Sequence, residues 1–260
     1  MGRAGLGVLR LVWRGGRLLA VTTAWYLLLE AGWLLLTLDP GRAERRRRWR
    51  QFVKRRWCAA VCRALAVRVE VVGNPPSEPG LLVSNHLSYL DIPVLGSLVD
   101  TVFVSKAEVA GWPGMGHLAT RGGTIYVERH RKRSLPEVNA RIRAALAGGD
   151  GVVLFPEGTS TGGDTVLPFR PSLLAPAAEL DLPVRSVGLV YATGPEDPPA
   201  SECVCWWRDM PFGPHVLRLL RLSGIRARVA FAPGAEQGTD RKELAERLWR
   251  RVHGAIQERG

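Results

Sequence analysis

The sequence contains, at residues 80–91, the stretch GLLVSNHLSYLD, in which a short apolar run passes directly into a polar loop. The run at residues 80–84 has the length and the apolar composition of a strand buried on both faces. Binding sites in α/β folds lie at the carboxyl ends of strands, which is where His86 falls. The stretch therefore predicts a buried strand of an α/β fold with a candidate site at its end.

Strand and helix patterns alternate on both sides of this stretch. Strand patterns occur at residues 67–72, 101–105, 124–127, 151–155, 184–191 and 226–231. Helical patterns occur at residues 91–99, 134–147 and 239–258. Such alternation favours an α/β fold. We expect a mixed, largely parallel sheet flanked by helices, with an N-terminal membrane-associated helical segment.

The N-terminal segment is set apart by its composition. Residues 18–38 are apolar apart from Glu30, and arginines flank this run on both sides, most densely at residues 42–56. The run is just long enough to span a bilayer. Basic residues at both ends also fit a helix or hairpin lying in one leaflet against anionic headgroups. A buried helix of a soluble core is the alternative, but it leaves the arginines unexplained. We expect residues 1–60 to be a membrane-anchoring helical region with a polybasic segment, and residues 61–260 to form the main domain.

Charge and cysteine content restrict the partners. The formal net charge is +12, and so basic a chain usually binds something acidic: nucleic acid, an anionic membrane, or an acidic carrier or substrate. Cys58 and Cys62 would share a helix face, and Cys203 and Cys205 a strand face. Neither pair is a CxxC and no histidine lies at ligand spacing, so we expect no metal site and buried free thiols.

The first candidate site is the pair His86 and Asp91. A histidine accepts a proton from a hydroxyl near neutral pH, and a carboxylate that fixes its tautomer improves it as a base. If the chain turns into a helix between the two residues, the carboxylate folds back to the ring. Taken alone, the pair fits equally well an aspartate N-cap beside a loop histidine.

Two further stretches lie at predicted strands. The first begins at the end of the strand at residues 151–155, and the second contains the strand at residues 124–127. Residues 155–160, FPEGTS, contain a glycine that allows close backbone approach, and amides that could surround an anion. Residues 122–129, GGTIYVER, end in Arg129, whose guanidinium suits a two-point contact to a phosphate or carboxylate. Taken alone, residues 155–160 also fit an ordinary turn at the end of a strand, and Arg129 also fits a solvated arginine.

In this order, the three stretches resemble the sequence blocks of the glycerolipid acyltransferase superfamily, whose type member makes phosphatidic acid from 1-acylglycerol-3-phosphate. The first block, Asn-His-x4-Asp, matches at Asn85, His86 and Asp91. The third, Phe-Pro-Glu-Gly-Thr, matches at residues 155–159. The fourth, a proline in an apolar strand, resembles residues 182–184. The resemblance covers residues 60–235.

The second block departs from the family pattern. Its aromatic position is shifted by one to Tyr126, and Glu128 stands where an aspartate usually precedes Arg129. Residues 105–109, SKAEV, and 167–170, LPFR, also look like members that acylate lyso-ornithine lipid. That headgroup carries a carboxylate and an amine in place of a phosphate, so the acceptor is open to both interpretations.

The resemblance implies a role for each matched residue. His86 is the implied base and Asp91 its partner. The implied acceptor-binding residues are Arg129, Glu157, Gly158 and Thr159. Lys106 and Arg170 are implied contacts to the thioester oxyanion or to an anionic headgroup.

The implied enzyme is an O-acyltransferase. It would move a fatty acyl group from a thioester of acyl carrier protein or coenzyme A to the hydroxyl of a lysolipid. The first expectation for the acceptor is 1-acylglycerol-3-phosphate, giving phosphatidic acid, and the alternative is lyso-ornithine lipid. No cofactor beyond the thioester co-substrate is implied. We expect the protein on the cytoplasmic face of the cell membrane, as a peripheral, monotopic or single-span protein on an anionic surface.

Two other classes compete with this interpretation. A serine hydrolase would need a Gly-x-Ser-x-Gly elbow, and Ser84, Ser88 and Ser160 lie in none. A non-catalytic basic protein would bind membranes or nucleic acid through its arginines, but no nucleic-acid module is visible and no nucleic-acid partner is expected. Measured turnover of an acyl thioester would distinguish an acyltransferase from these two classes.

Overall fold

In the computed structural model of this chain, the described residues are 3–36, 41–112, 114–127 and 134–257. The first half of the chain forms α1 (Arg3–Leu35), α2 (Arg42–Ala64), β1 (Val67–Val72), β2 (Leu81–Ser84), α3 (Asp91–Gly96), β3 (Thr101–Lys106), α4 (Met115–Arg121) and β4 (Ile125–Val127). The second half forms α5 (Ser134–Ala147), β5 (Gly151–Leu154), α6 (Ala175–Glu179), β6 (Val184–Thr193), α7 (Ala200–Cys203), α8 (Phe212–Arg221), β7 (Ile225–Phe231) and α9 (Arg241–Gln257).

The described strands form a seven-stranded sheet in the order β1-β7-β6-β2-β5-β3-β4. Every neighbouring pair is parallel except β6 and β7, which are antiparallel. The expected mixed, largely parallel sheet flanked by helices is confirmed. β2 lies between β6 and β5 and all four of its residues are buried, which places the loop at residues 85–90 over the middle of the sheet.

Each strand contributes side chains to both faces of the sheet. Leu82 packs with one core cluster, together with Leu95 and Leu219 from the helices of that face. Leu81 and Val83 pack with the other cluster, beside Leu248. This alternation follows from the two-residue period of a strand. Burying each such side chain stabilises the fold by about 1.5–3 kcal/mol.

The helices α1 and α2 form an antiparallel hairpin. The Trp49 indole N–H donates to the Leu29 carbonyl at 3.3 Å, and the Trp57 indole N–H to the Thr22 hydroxyl at 3.2 Å. Gly32 faces the Trp49 ring so closely that a Cβ would overlap the indole. The expected N-terminal helical segment is therefore present, and it packs tightly on the helix that follows it.

α1 also contacts the α/β domain along most of its length. Arg14 donates to the carbonyls of Leu222 and Ser223 at 2.7 and 3.0 Å. Near the other end of the helix, Arg121 binds Glu30 at 2.9 Å. By length and composition alone, Gly5–Leu35 qualifies as a candidate membrane span, with a mean hydropathy of 1.5. Its outward face is apolar, with exposed side chains that include Leu9, Val12, Trp13, Leu27 and Leu34.

Several basic residues of α2 bind the protein itself. Arg47 donates to the Gly149 carbonyl at 2.7 Å, and Arg50 pairs with Asp150. Lys54 donates to the Thr101 carbonyl. The arginine-rich segment, expected to be a polybasic surface, thus also attaches α2 to the sheet. α2 runs through residue 60 to Ala64, so the expected boundary at residues 60 and 61 falls inside a helix.

The expected strand face for the cysteine pair Cys203 and Cys205 is wrong. Cys203 ends the short helix α7, and Cys205 lies in the segment after it. A short apolar run gives no periodicity that separates a strand from one helical turn. The helices α4, α6, α7 and α8 were not predicted. The predicted strands and the helices predicted at residues 91–99, 134–147 and 239–258 occur with ends shifted by at most three residues, whereas α1 begins at Arg3, well before the apolar run at residues 18–38.

Candidate active site

His86 and Asp91 meet at the carboxyl end of β2. The chain leaves the sheet after Ser84, turns, and begins α3 at Asp91, which brings the carboxylate back to the ring. The distance from His86 Nδ1 to Asp91 Oδ2 is 2.7 Å. The Asp91 side chain is fully buried, whereas the His86 side chain is 24% exposed. The turn assumed from the five-residue spacing therefore exists, and the imidazole keeps one edge accessible.

Asp91 accepts hydrogen bonds from three further donors. Its Oδ2 accepts from the backbone N–H groups of Leu87 at 2.8 Å and Ser88 at 3.1 Å. Its Oδ1 accepts from the Tyr191 hydroxyl at 2.8 Å. A carboxylate surrounded by donors acts as an acceptor, so the hydrogen lies on His86 Nδ1. The other ring nitrogen, Nε2, is then left with a lone pair for a substrate hydroxyl.

Tyr191 is a site residue that the sequence analysis missed. It lies on β6, two strand positions beyond Leu189, and its hydroxyl reaches the site from the neighbouring strand. Burial, and then the charge of Asp91, raise the pKa of Tyr191 well above its ordinary value, so the phenol stays a donor. β6 also contains Ser186 and Thr193, so a hydroxyl in this strand did not by itself mark Tyr191 as a site residue.

The ring plane and main chain of His86 are held by residues 155–161. The imidazole stacks on Phe155 with ring centroids 4.2 Å apart. The His86 backbone N–H donates to Glu157 Oε1 at 2.7 Å, and its carbonyl accepts from the Thr161 N–H at 3.0 Å. The first and third sequence blocks thus contact each other directly at His86, the candidate base.

The Glu157 carboxylate lies behind this loop and not against the cavity. Its second oxygen accepts from the Leu167 N–H at 2.7 Å, and the residue is 2% exposed. Burial raises the pKa of Glu157 to about 7, although the two N–H bonds act in the opposite direction. Both oxygens thus accept from main-chain donors, and the acceptor-binding role that the sequence resemblance implies for Glu157 stays a prediction.

A large, mostly apolar cavity of about 690 Å³ opens beside His86. Its volume is within the range of pockets that enclose small-molecule ligands. Leu18 and Leu19 of α1 and Trp57 of α2 line the end under the hairpin. At the site end, the wall includes Gly158, Thr159, Ser160, Lys106 and Arg170. The cavity therefore joins the base to an apolar space under the N-terminal helices.

Lys106 and Arg170 bring positive charge to this wall. Both are exposed, and within the described part of the chain neither side chain has a hydrogen-bond or ion-pair partner. Gly158 has φ +74°, and a Cβ there would lie 2.7 Å from Arg170 Nε, so the glycine allows the guanidinium to cross the turn. The two cations are available to an anionic ligand.

Arg129 lies outside the described residues, as does Glu128 before it. The strand β4 that leads to them ends at Val127, which pairs with Lys106 in the parallel register.

An aromatic wall completes the cavity, and the sequence patterns did not reveal it. It consists of Tyr89, Trp112, Trp206 and Phe212, with neighbouring ring centroids 4.8–6.0 Å apart. The Tyr89 hydroxyl lies 2.9 Å from Nδ1 of the buried His215, and burial lowers the pKa of that histidine. These residues are far apart in sequence, so no local motif marks them.

None of the candidate serines is placed as a nucleophile. Ser84 and Ser88 are fully buried, and Ser160 Oγ donates to the Trp206 carbonyl at 2.5 Å. In the described residues, the only side-chain partner of the His86 ring in a hydrogen bond is Asp91. The arrangement suits a base that acts on an external hydroxyl.

The chain is similar to proteins of known activity. The model of the Acyltransferase family matches residues 67–190. A lyso-ornithine lipid O-acyltransferase of Pseudomonas aeruginosa is 38% identical over 80% of this chain and 79% of its own length. Another from Rhizobium meliloti is 33% identical over 81% of this chain and 76% of its own. A 1-acyl-sn-glycerol-3-phosphate acyltransferase of Neisseria meningitidis is 26% identical over 75% and 77%.

A crystal structure has the same fold. The 1-acyl-sn-glycerophosphate acyltransferase of Thermotoga maritima superposes with a TM-score of 0.61 at 19% sequence identity. The match covers 95% of this chain and 99% of that one, so it includes the N-terminal helices as well as the sheet.

Proposed function

The chain belongs to the Acyltransferase family, within the glycerolipid acyltransferases, and on that premise we propose that it transfers a fatty acyl group from a thioester to the hydroxyl of a lysolipid. The observation that carries the proposal is the His86–Asp91 pair, 2.7 Å apart, with His86 on the wall of an apolar cavity that Lys106 and Arg170 also line. The cavity suits acyl chains, and the cations suit an anionic headgroup.

These positions support the following reaction. His86 Nε2 accepts the proton of the acceptor hydroxyl while the hydroxyl oxygen attacks the thioester carbonyl carbon. The C–S bond then breaks, and the imidazolium returns the proton to the leaving thiolate. Asp91 stabilises the imidazolium in between. Lys106 is positioned on the same wall to offset charge on the carbonyl oxygen.

We infer that the acceptor is lyso-ornithine lipid. The relatives with that activity are 38% and 33% identical to the chain, against 26% for the lysophosphatidate enzyme of Neisseria meningitidis. The acceptor's carboxylate would bind Arg170, with Arg129 as the second cation that the sequence resemblance implies. The second candidate is 1-acylglycerol-3-phosphate, the first expectation from sequence, since a phosphate also suits two cations.

The proposed acyl donor is a fatty acyl thioester of acyl carrier protein or of coenzyme A, with no resident cofactor. One assay tests donor and acceptor together: purified protein is given each donor with lyso-ornithine lipid and with 1-acylglycerol-3-phosphate in parallel. We expect kcat/KM to be higher for lyso-ornithine lipid. A higher value for 1-acylglycerol-3-phosphate would reverse the assignment, and transfer to neither lipid would overturn the proposed function.

The apolar α1 associates the protein with a membrane, and we propose that it lies in one leaflet at the cytoplasmic face. The contacts of Arg14 and Glu30 attach two points of α1 to the same domain. These residues are 16 positions apart, or about 24 Å along a helix, most of the roughly 30 Å hydrocarbon thickness. A helix held in this way cannot cross the bilayer while the domain stays on one side.

A further inference from the structure

Glu157 touches the two segments that carry the reactive and the anion-binding side chains. One oxygen accepts from the backbone N–H of His86 and the other from that of Leu167, each at 2.7 Å. Leu167 lies three residues before Arg170, whose own N–H donates to the Pro156 carbonyl at 2.8 Å. A single carboxylate therefore joins the loop of the base to the segment that ends in the free guanidinium.

The side chain of Glu157 faces away from the substrate. The cavity wall includes Phe155 before it and Gly158 after it, but not Glu157 itself. A ligand could reach the carboxylate only by displacing one of the two backbone donors, which would leave a buried N–H unpaired at a cost of about 1–3 kcal/mol. Direct contact with an acceptor is thus the less favourable use of this residue.

Keeping a carboxylate in this position has an energetic cost that a neutral side chain would avoid. Burial of the group raises its pKa to about 7, and the His86 and Leu167 N–H groups offset only part of that effect. A carboxylate can perform a task that an amide cannot, because both of its oxygens accept hydrogen bonds. Here that task is to accept from two main-chain donors at once.

We propose that Glu157 is a positioning residue, which holds the main chain of His86 and of residues 167–170 in one frame so that the base and the Arg170 guanidinium keep a constant spacing. Asp91 fixes the ring of His86, and Glu157 with Thr161 fixes its main chain. The proposal rests on the proposed function for the identity of the base, but its geometric part does not depend on the acceptor.

The test compares Glu157→Gln with the wild-type enzyme. Gln keeps the shape but turns an NH2 group toward one of the two backbone N–H groups, so the frame loosens. Misplacement of a catalytic group by about 1 Å reduces rates on the order of 10²-fold. We expect kcat to fall by about that factor, and equally for lyso-ornithine lipid and 1-acylglycerol-3-phosphate. If Glu157 instead bound the acceptor directly, the substitution would raise the KM of one acceptor.

A second measurement needs no substrate. Hydrogen–deuterium exchange should become faster in peptides covering residues 84–91 and 163–170 of the Gln variant. Glu157→Asp, one methylene shorter, should reach a single donor and give an intermediate result, and it remains informative if the Gln variant does not fold. Glu179→Gln, which removes an exposed ion pair with Arg143, is the matched control and should change neither readout.

The outcomes separate the two proposals. Unchanged exchange in both segments of the Gln and Asp variants would overturn the positioning role whatever the activity shows. A selective rise in one acceptor's KM with unchanged kcat would also overturn it, and would return Glu157 to acceptor binding. If the wild type acylates neither lipid, the proposed function fails while the exchange experiment still decides the role of Glu157.

Discussion

At the residue scale, the site is built around one histidine whose every polar group has a defined partner or task. Asp91 binds Nδ1, Glu157 binds the backbone N–H, and Thr161 binds the carbonyl. Only Nε2 remains for the acceptor. This arrangement separates the residues that react from those that hold them, and substitutions at each should have different kinetic signatures.

The first prediction concerns the base. His86→Ala should reduce turnover by about 10²–10⁴-fold, the usual contribution of a positioned general base. Asp91→Asn should be nearly as damaging, because it removes the charge that faces the imidazolium and places an NH2 group among donors. Steady-state kinetics on folded variants checks both. Ser88→Ala is the control and should keep most activity, since the Ser88 hydroxyl has no partner.

The same reasoning predicts direct transfer without an acyl-enzyme. Incubation with radiolabelled acyl donor in the absence of acceptor, followed by acid quenching, should leave the protein unlabelled. Stoichiometric, serine-dependent label that passes into lipid on addition of acceptor would contradict this mechanism and make His86 the activator of an enzyme nucleophile.

Tyr191 provides a test of the support behind Asp91. Tyr191→Phe leaves Asp91 Oδ1 without its buried donor. A hydrogen bond to a charged group contributes about 1.5–3 kcal/mol, so the free energy of unfolding should fall by about that amount, and kcat should fall with it. Denaturant unfolding and kinetics measure the two effects. If neither changes, another donor replaces the phenol.

The anion-binding arginines should affect the acceptor and not the donor. Arg170→Lys keeps the charge but loses the planar fork, so it should raise the KM of the acceptor far more than that of the donor. The sequence resemblance predicts the same for Arg129→Lys. Equal effects on both KM values would assign the substituted arginine to the donor or to the scaffold.

At the element scale, the α1–α2 hairpin is part of the cavity and not an appended anchor. Leu18 and Leu19 line the same cavity as His86, and the basic residues of α2 that bind Gly149, Asp150 and Thr101 attach the hairpin to the sheet. The sequence predicted the apolar run and the arginines. It could not predict which basic residues bind the protein. The partners of Arg47 and Arg50 lie about a hundred residues away on the α5–β5 connection, and that of Lys54 lies 47 residues away on β3.

Two glycines of α1 give a matched test of this packing. Gly16→Ala adds a methyl group where no atom lies within 4 Å, so the better helix propensity of alanine should stabilise the protein by about 0.5–1 kcal/mol. Gly32→Ala forces the same methyl group into the Trp49 indole and should destabilise it. Thermal unfolding in detergent checks the pair. A stabilising Gly32→Ala would mean that the helices do not pack as described.

At the scale of the whole molecule, the apolar face of α1, the cavity and the base follow one another in space. The outward face of α1 is apolar, its inward side lines the cavity, and the cavity ends at His86. A lipid acceptor could therefore be modified without its chain crossing water. The proposed position of α1 in one leaflet requires both of its ends to lie on the same side of the bilayer.

Labelling of introduced cysteines tests this topology, because all four native cysteines are buried. Gly5 lies in the first turn of α1, and Arg42 begins the helix that follows it. Cysteines introduced by Gly5→Cys and Arg42→Cys should react with a membrane-impermeant maleimide from the same side of sealed vesicles. Labelling from opposite sides would show that α1 spans the bilayer. This test is preferable to deletion of residues 1–50, which would also remove one wall of the cavity.

The sequence by itself determined the features whose cause is local. The α/β order follows from hydrophobic periodicity within each segment, and the His86–Asp91 contact follows from a five-residue turn into a helix that begins at Asp91. Only the tertiary structure decided the roles of Glu157 and Tyr191. Glu157 meets the His86 main chain across 71 residues, and Tyr191 meets Asp91 across 100, because parallel neighbours β2, β5 and β6 end at one edge of the sheet. A motif shows which side chains are present. The hydrogen-bond partners that strand order brings together determine whether a carboxylate binds a substrate or holds the main chain of the residue that does.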